Sequence, residues 1–258
     1  MISADQVKEL RDKTSVSVMQ CRKALEEADG DMEKALIILR KKGSEIAEKK
    51  SDRSATDGKV VIKKDAQRAL VLTINCETDF VAQNERFVTL ANSIIDEAWS
   101  SGIPTATEHA TAQINDVVLA IGENIQLGGI DEFTGSVIGS YTHFNGKQAS
   151  LVVLEGGNES LANDIAMHAT AMKPKYLASS DIKEEDKEAV LGVIQKEIDE
   201  SDKPAEIKEK MLTGKLDTYF KEQTLLDQVF FKDGSITVGK LAEKAGAKII
   251  SYKLYILG

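Results

Sequence analysis

No apolar run in these 258 residues approaches the ~20 that a membrane-spanning helix requires, and Met1-Ile2-Ser3-Ala4-Asp5-Gln6 carries no basic and apolar export signal. Both absences lead to the expectation of a soluble, cytoplasmic protein with no membrane partner. Cysteine is scarce. Cys21 and Cys76 stand far apart without metal-ligand spacing, which fits reduced thiols filling a core better than a disulfide framework. The three histidines, His109, His143 and His168, have no second histidine or cysteine at ligand spacing. Neither H-E-x-x-H nor G-x-S-x-G occurs, so no metal, no cofactor and no catalytic residue is expected. The nearest approach to a nucleotide-binding motif is "GSITVGKL", Gly234–Leu241. It has Leu241 where the phosphate loop needs a hydroxyl for magnesium, so Thr237 reads as the cap of a helix starting at Val238.

Positive charge is also in deficit. Lys and Arg number 33 against 42 Asp and Glu, a net charge of −9. Residues 65–135 alone carry two basic and eleven acidic side chains, a net of −9, whereas residues 1–53 are nearly balanced. Such a surface repels phosphate backbones, so no direct nucleic-acid binding is expected and a protein partner fits better.

What is present is enough apolar residue, 42%, to bury a core in two or three modules. Apolar stripes predict three short helices in the first 42 residues, with Asp29-Gly30-Asp31 ending one and capping the next. The module resembles ubiquitin-associated domains. A polar run, Gly43–Asp57, reads as a linker whose first half can be helical. Strands are predicted at 59–63, 69–75, 135–142 and 148–155, the last two joined by an Asn145-Gly146 turn. Helices are predicted through Phe87–Trp99 and Leu161–Met172. Both follow an apolar strand and a polar corner, which suggests two related α+β halves. Between 183 and 226 two helices meet at Pro204, Val190, Val193, Ile194 and Ile198 facing Ile207, Met211, Leu212 and Leu216 as an antiparallel hairpin, a coiled coil. A short helix and a strand from Lys248 to Leu257 close the chain. The expected fold class is α+β: a three-helix module over 1–53, a duplicated core with antiparallel sheets over 54–139 and 140–258, and the hairpin 183–226 within the last part.

One stretch, "CETDFVAQNERF" at 76–87, turns from an apolar strand into a corner carrying Asp79 and Phe80. A corner is exposed, so Phe80 is either a lid on its own core or a plug for a partner's. Together with "VKELRDKTSVSVMQCRKALEEADGDMEKALIILRKKG", "IGENI", "GSYTH", "AMHATAMKPKYL" and "TVGKL", this stretch resembles bacterial elongation factor Ts, in order and through essentially the whole chain. The resemblance implies a guanine-nucleotide exchange factor, not an enzyme. Its partner would be elongation factor Tu, bound both with GDP and free of nucleotide. It implies that Asp79 and Phe80 insert near the partner's magnesium and phosphate region. It further implies contacts by Arg11, Val18, Met19 and Arg22 in the first module, Ile121 and Gly122 in a loop, His143, and Phe231. The family often has T-G-A-G-M-M-D-C where this chain has Thr14–Cys21, so that contact can be rearranged. The chain also stops short of the carboxy-terminal helical module of longer relatives, whose contacts are expected to be absent. Two rivals are a binding module for a ubiquitin-like partner, and an enzyme using the acidic middle.

Overall fold

The computed structural model describes residues 2–258, which divide into two compact units. The first holds the chain up to Phe133 with Thr142–Gln148 and Tyr255–Gly258; the second holds Thr134–Tyr141 and Ala149–Leu254. The whole is mixed α and β with two three-stranded antiparallel sheets.

The first unit opens with α1 (Ala4–Thr14), α2 (Val18–Glu27) and α3 (Met32–Lys50). Ser3 caps α1 reciprocally with Gln6, Ser17 caps α2, and Asp31 accepts from the Glu33 and Lys34 amides at the start of α3. Leu10, Val16, Cys21, Leu25, Ala35 and Leu39 are buried together between them. The first half of the expected linker is helical, as its sequence allows, because α3 runs on to Lys50, and residues 51–56 are irregular. The extension has a partner: Ile46 and Ala47 pack on the core, and Gly43 lies so close to α6 (Ile103–Ile121) that a Cβ there would stand 2.9 Å from the Asn115 carbonyl oxygen.

Strands β1 (Asp57–Lys64) and β2 (Arg68–Cys76) pair antiparallel from Asp57 opposite Cys76 to Lys64 opposite Ala69. Asp65 makes the turn by accepting from the amides of Gln67 and Arg68. Alternate residues of β2, Leu70, Leu72, Ile74 and Cys76, face Phe87, Leu90, Ala91, Ile94 and Ile95 of α5 (Glu85–Ser101), all buried. Strand β3 (Ile125–Thr134) completes the sheet in the order β1-β2-β3. Neither α6 nor β3 is among the elements expected from sequence.

In the second unit, β4 (Val137–Thr142), β5 (Gln148–Glu155) and β6 (Lys248–Ile256) form the other sheet, under α7 (Glu159–Met172). Gly139 lets β4 touch α7: a Cβ would lie 2.1 Å from the Ala162 carbonyl carbon. Val152, Leu154, Ile165, Ala166, Ala169, Leu225 and Phe230 are buried with Val238 and Ala242 of α10 (Val238–Lys244). Thr237 caps α10 by accepting from the Lys240 amide, as its sequence indicated.

Helices α8 (Glu184–Asp199) and α9 (Ala205–Gln223) run antiparallel, since Lys208 reaches the Asp199 carbonyl and Lys215 pairs with Glu197 further from the turn. The expected seam needs correcting. Ile194 and Ile198 are buried, but Val193 is 72% exposed and Ile207 is exposed, because Val193 lies about 100° round the helix from Ile194.

Candidate functional site

The corner after β2 is built by capping. Thr78 Oγ1 accepts from the Val81 amide at 3.4 Å and so starts α4 (Asp79–Ala82), a single turn that carries Asp79 and Phe80. Val81 and Ala82 point into the core, and Asp79 and Phe80 point to solvent; Phe80 is 83% exposed. Burial of one side of the turn fixes the display of the other.

A second segment holds the turn from below. Glu123, in the loop after α6, takes the Thr78 amide at 3.1 Å and the Thr78 hydroxyl at 2.7 Å on its two carboxylate oxygens. In return Glu77 accepts from the Asn124 amide at 2.7 Å, and Asn124 Nδ2 donates to the Arg53 carbonyl at 2.7 Å. Charge-assisted bonds of this length are stronger than neutral ones, so the "ETDFV" and "IGEN" strings form one reciprocal clamp. Ile121 is the last residue of α6, and Gly122 opens that loop. Gly122 takes the left-handed conformation, φ 85°, that ends α6, and its carbonyl accepts from Lys50. Cys76 donates to the Thr78 carbonyl at 3.2 Å, and burial pushes its thiol up to about 12. It is a protonated core residue, not a nucleophile.

The other side of the corner faces the tip of the β4–β5 hairpin, Thr142–Gln148. A cleft of 440 Å³ opens there, lined by Lys59, Asp79, Ala82, Gln83, Phe144, Asn145 and Lys147. Lys147 pairs with Asp57 at 2.8 Å, and that hydrogen bond holds its ammonium above its ordinary pKa. His143 is half-buried, its ring 4.5 Å from that of Phe144. In the helical module, Arg11 of α1 and Val18 and Arg22 of α2 share a second cleft, of 380 Å³, and Met19 of α2 is 69% exposed. Arg86 of α5 donates to the Ser15 carbonyl at 2.9 Å and ties this module to the start of the helix that follows the corner.

Nine of the ten expected residues therefore belong to the first unit. The tenth, Phe231, is in the second, 42% exposed, with its amide donating to His168 Nδ1 at 3.2 Å. His168 is fully buried and its Nε2 meets Gln228 Oε1 at 2.9 Å. Burial holds its pKa below the ordinary value, so it is a neutral imidazole with its proton on Nε2. Among the described residues no group of three His, Cys, Asp or Glu is placed to hold a metal ion, and no helix is long and apolar enough to cross a membrane.

Residues 77–258, from the corner to the end, match the family model of elongation factor TS. The elongation factor Ts of Hahella chejuensis is 39% identical across 100% of this chain and 92% of its own length. The chain belongs to the elongation factor Ts family. Relatives of that name from Thioalkalivibrio sulfidiphilus and Levilactobacillus brevis are 40% and 38% identical, again over 100% of the chain and 92% of theirs. Members of the family are translation elongation factors that act as nucleotide exchange factors for elongation factor Tu, by protein binding and not as catalytic enzymes.

Two residues that support candidate positions, one in each unit, escape sequence reasoning. Glu123 stands inside a string noticed for its resemblance, yet nothing in the pattern of residues says that it grips Thr78. His168 reads as a packed or partner-facing histidine, and its bond to the Phe231 amide and its ring contact with Phe231 connect it to that candidate residue.

Proposed function

We propose that this chain, in the cytoplasm, binds elongation factor Tu carrying GDP and promotes GDP release by inserting Asp79 and Phe80 beside the nucleotide and its magnesium. Reloading with GTP follows from the nucleotide-free complex. The observation that carries this reading is the exposure of Phe80, 83%, on a turn held by Thr78 and Glu123. A solvent-facing phenyl ring on an ordered turn is pre-organised, so little conformational entropy is lost when it is buried by a partner.

The exchange factor needs no chemistry of its own. It must bind the empty GTPase more tightly than the loaded one, and linkage then weakens nucleotide by the same factor. A factor of 10⁴ requires about 5.5 kcal/mol of differential binding. A desolvated aromatic anchor contributes about 2–4 kcal/mol in favourable interfaces, and a carboxylate beside it competes for groups that order the magnesium. The remainder is assigned to Arg11, Val18, Met19 and Arg22 on a ubiquitin-associated-like module, to Ile121 and Gly122, and to His143 and Phe231. The three functional segments are 1–53, 54–139 and 140–258, with α8 and α9 as a coiled coil. The acidic balance supports a protein partner over nucleic acid.

Release of a fluorescent GDP analogue from elongation factor Tu tests the reading. Wild type accelerates release strongly; Phe80→Ala loses about thirtyfold or more of that acceleration and keeps the wild-type melting temperature. Glu123→Ala, which frees the turn without touching the ring, loses part of it. A Phe80→Ala variant that melts several degrees lower but exchanges normally would make Phe80 a lid on its own core.

A further inference from the structure

Phe144 is 92% exposed, more than any other large apolar side chain among the described residues. A lone exposed apolar residue calls for no explanation. Phe144 differs because its backbone is fixed and its surroundings are shared with the corner. The Val60 amide donates to the Gly146 carbonyl at 2.8 Å, the Leu257 amide to the Lys147 carbonyl at 2.9 Å, and the Gly146 amide to the His143 carbonyl at 2.8 Å. With the Lys147–Asp57 pair, these bonds pin the tip on both sides of the ring. The backbone that carries the phenyl group is thus held in place. The chain has seven phenylalanines, of which Phe80, Phe144 and Phe231 are exposed. Phe144 lines the same cleft as Asp79, the residue adjoining Phe80.

We propose that Phe144 is a second apolar anchor for the GTPase. The segment of the partner that enters the cleft between α4 and the hairpin tip carries an apolar side chain flanked by a carboxylate. The apolar group covers the Phe144 ring, which His143 backs at 4.5 Å. The carboxylate meets Lys59, because the other lysine of the cleft, Lys147, is already paired with Asp57. This inference rests on the reading of Asp79 and Phe80 as the exchange element and adds a surface whose role is grip. Phe80 acts on the nucleotide site and sets the maximal release rate. Phe144 acts on affinity and sets the concentration at which that rate is reached.

The experiment is GDP release from elongation factor Tu titrated with wild type, Phe80→Ala, Phe144→Ala, Phe144→Leu and Lys59→Ala, with a melting temperature for each. Phe144→Ala is expected to raise the half-maximal concentration about tenfold or more, with the maximal rate within about twofold and the melting temperature unchanged. Phe144→Leu retains most of the affinity, and Lys59→Ala raises the same concentration about threefold. A Phe144→Ala titration that overlays wild type while Phe80→Ala is defective overturns the anchor and leaves the exchange reading standing. A lowered melting temperature with rate and affinity lost together makes Phe144 structural and overturns the anchor as well. Wild type without any effect on release defeats the exchange reading, and the anchor with it.

Discussion

Ser15 ends α1 at φ 58° and ψ 17°, the left-handed region that costs a residue with a Cβ about 1–2 kcal/mol. Its amide still closes onto the Arg11 carbonyl at 2.6 Å, and its carbonyl takes Arg86, so the conformation is imposed from both sides. The family pattern that places glycine here thus has a physical reason, and this chain retains the geometry without the residue suited to it. Ser15→Gly is expected to stabilise the protein by about 0.5–1 kcal/mol, the relief of strain being offset in part by greater freedom of the unfolded chain. A chemical-denaturation midpoint shifted upward at constant slope is the outcome that supports this; an unchanged midpoint would mean that the Ser15 strain is already relieved. The clamp at the corner teaches a related lesson at the same scale. Thr78 and Glu123 are each visible in sequence, but the bond between them spans 45 positions, and no local pattern encodes it.

At the scale of elements, legibility follows the strength of the apolar period. Helix α5 was plain because Phe87, Leu90, Ala91, Ile94, Ile95 and Ala98 repeat at helical spacing and are all buried. Helix α6 was not, because its buried stripe begins with Ala106 and Ala110, residues too small to mark a face. Strand β3 buries only Ile125 and lies at the edge of its sheet, so its alternation is faint. The hairpin of α8 and α9 is a different case: its two helices are legible in the apolar pattern, and its seam is not. The observed seam has a measurable consequence. Ile198, 1% exposed, is expected to cost about 2–4 kcal/mol when replaced by alanine, whereas Val193→Ala stays within about 0.5 kcal/mol. Urea unfolding of the two variants separates the observed seam from the expected one; similar losses for both would return Val193 to the interface.

For the molecule as a whole, the response to acid divides between two histidines of opposite sign. Glu97 lies 2.5 Å from His109 Nδ1, and that hydrogen bond raises the His109 pKa above its ordinary 6.5. Burial among the rings of Phe230 and Phe231, with Gln228 as the polar partner of Nε2, lowers the pKa of His168 below the same value. A raised pKa means that the folded state holds its proton more tightly. The stability from His109 is therefore full below pH 6.5 and is lost as pH rises through its folded pKa. The reverse holds for His168, whose contribution is full above pH 6.5 and is lost as pH falls through its folded pKa. Since the Phe231 amide donates to Nδ1, protonation of His168 removes an acceptor inside the core, and the site is too buried for solvent to screen the loss. His109 is exposed, so solvent and salt weaken its share. Between pH 7 and 5 the His168 slope is thus expected to outweigh that of His109, and the melting temperature falls on acidification. Imidazole carbon-bound proton shifts followed by nuclear magnetic resonance from pH 8 to 5 check the assignment residue by residue. The His109 midpoint lies above 6.5 and the His168 midpoint below it. A His168 midpoint at or above 6.5 would mean that the Gln228 hydrogen bond outweighs burial, and the acid-side loss of stability would then have to come from the carboxylates.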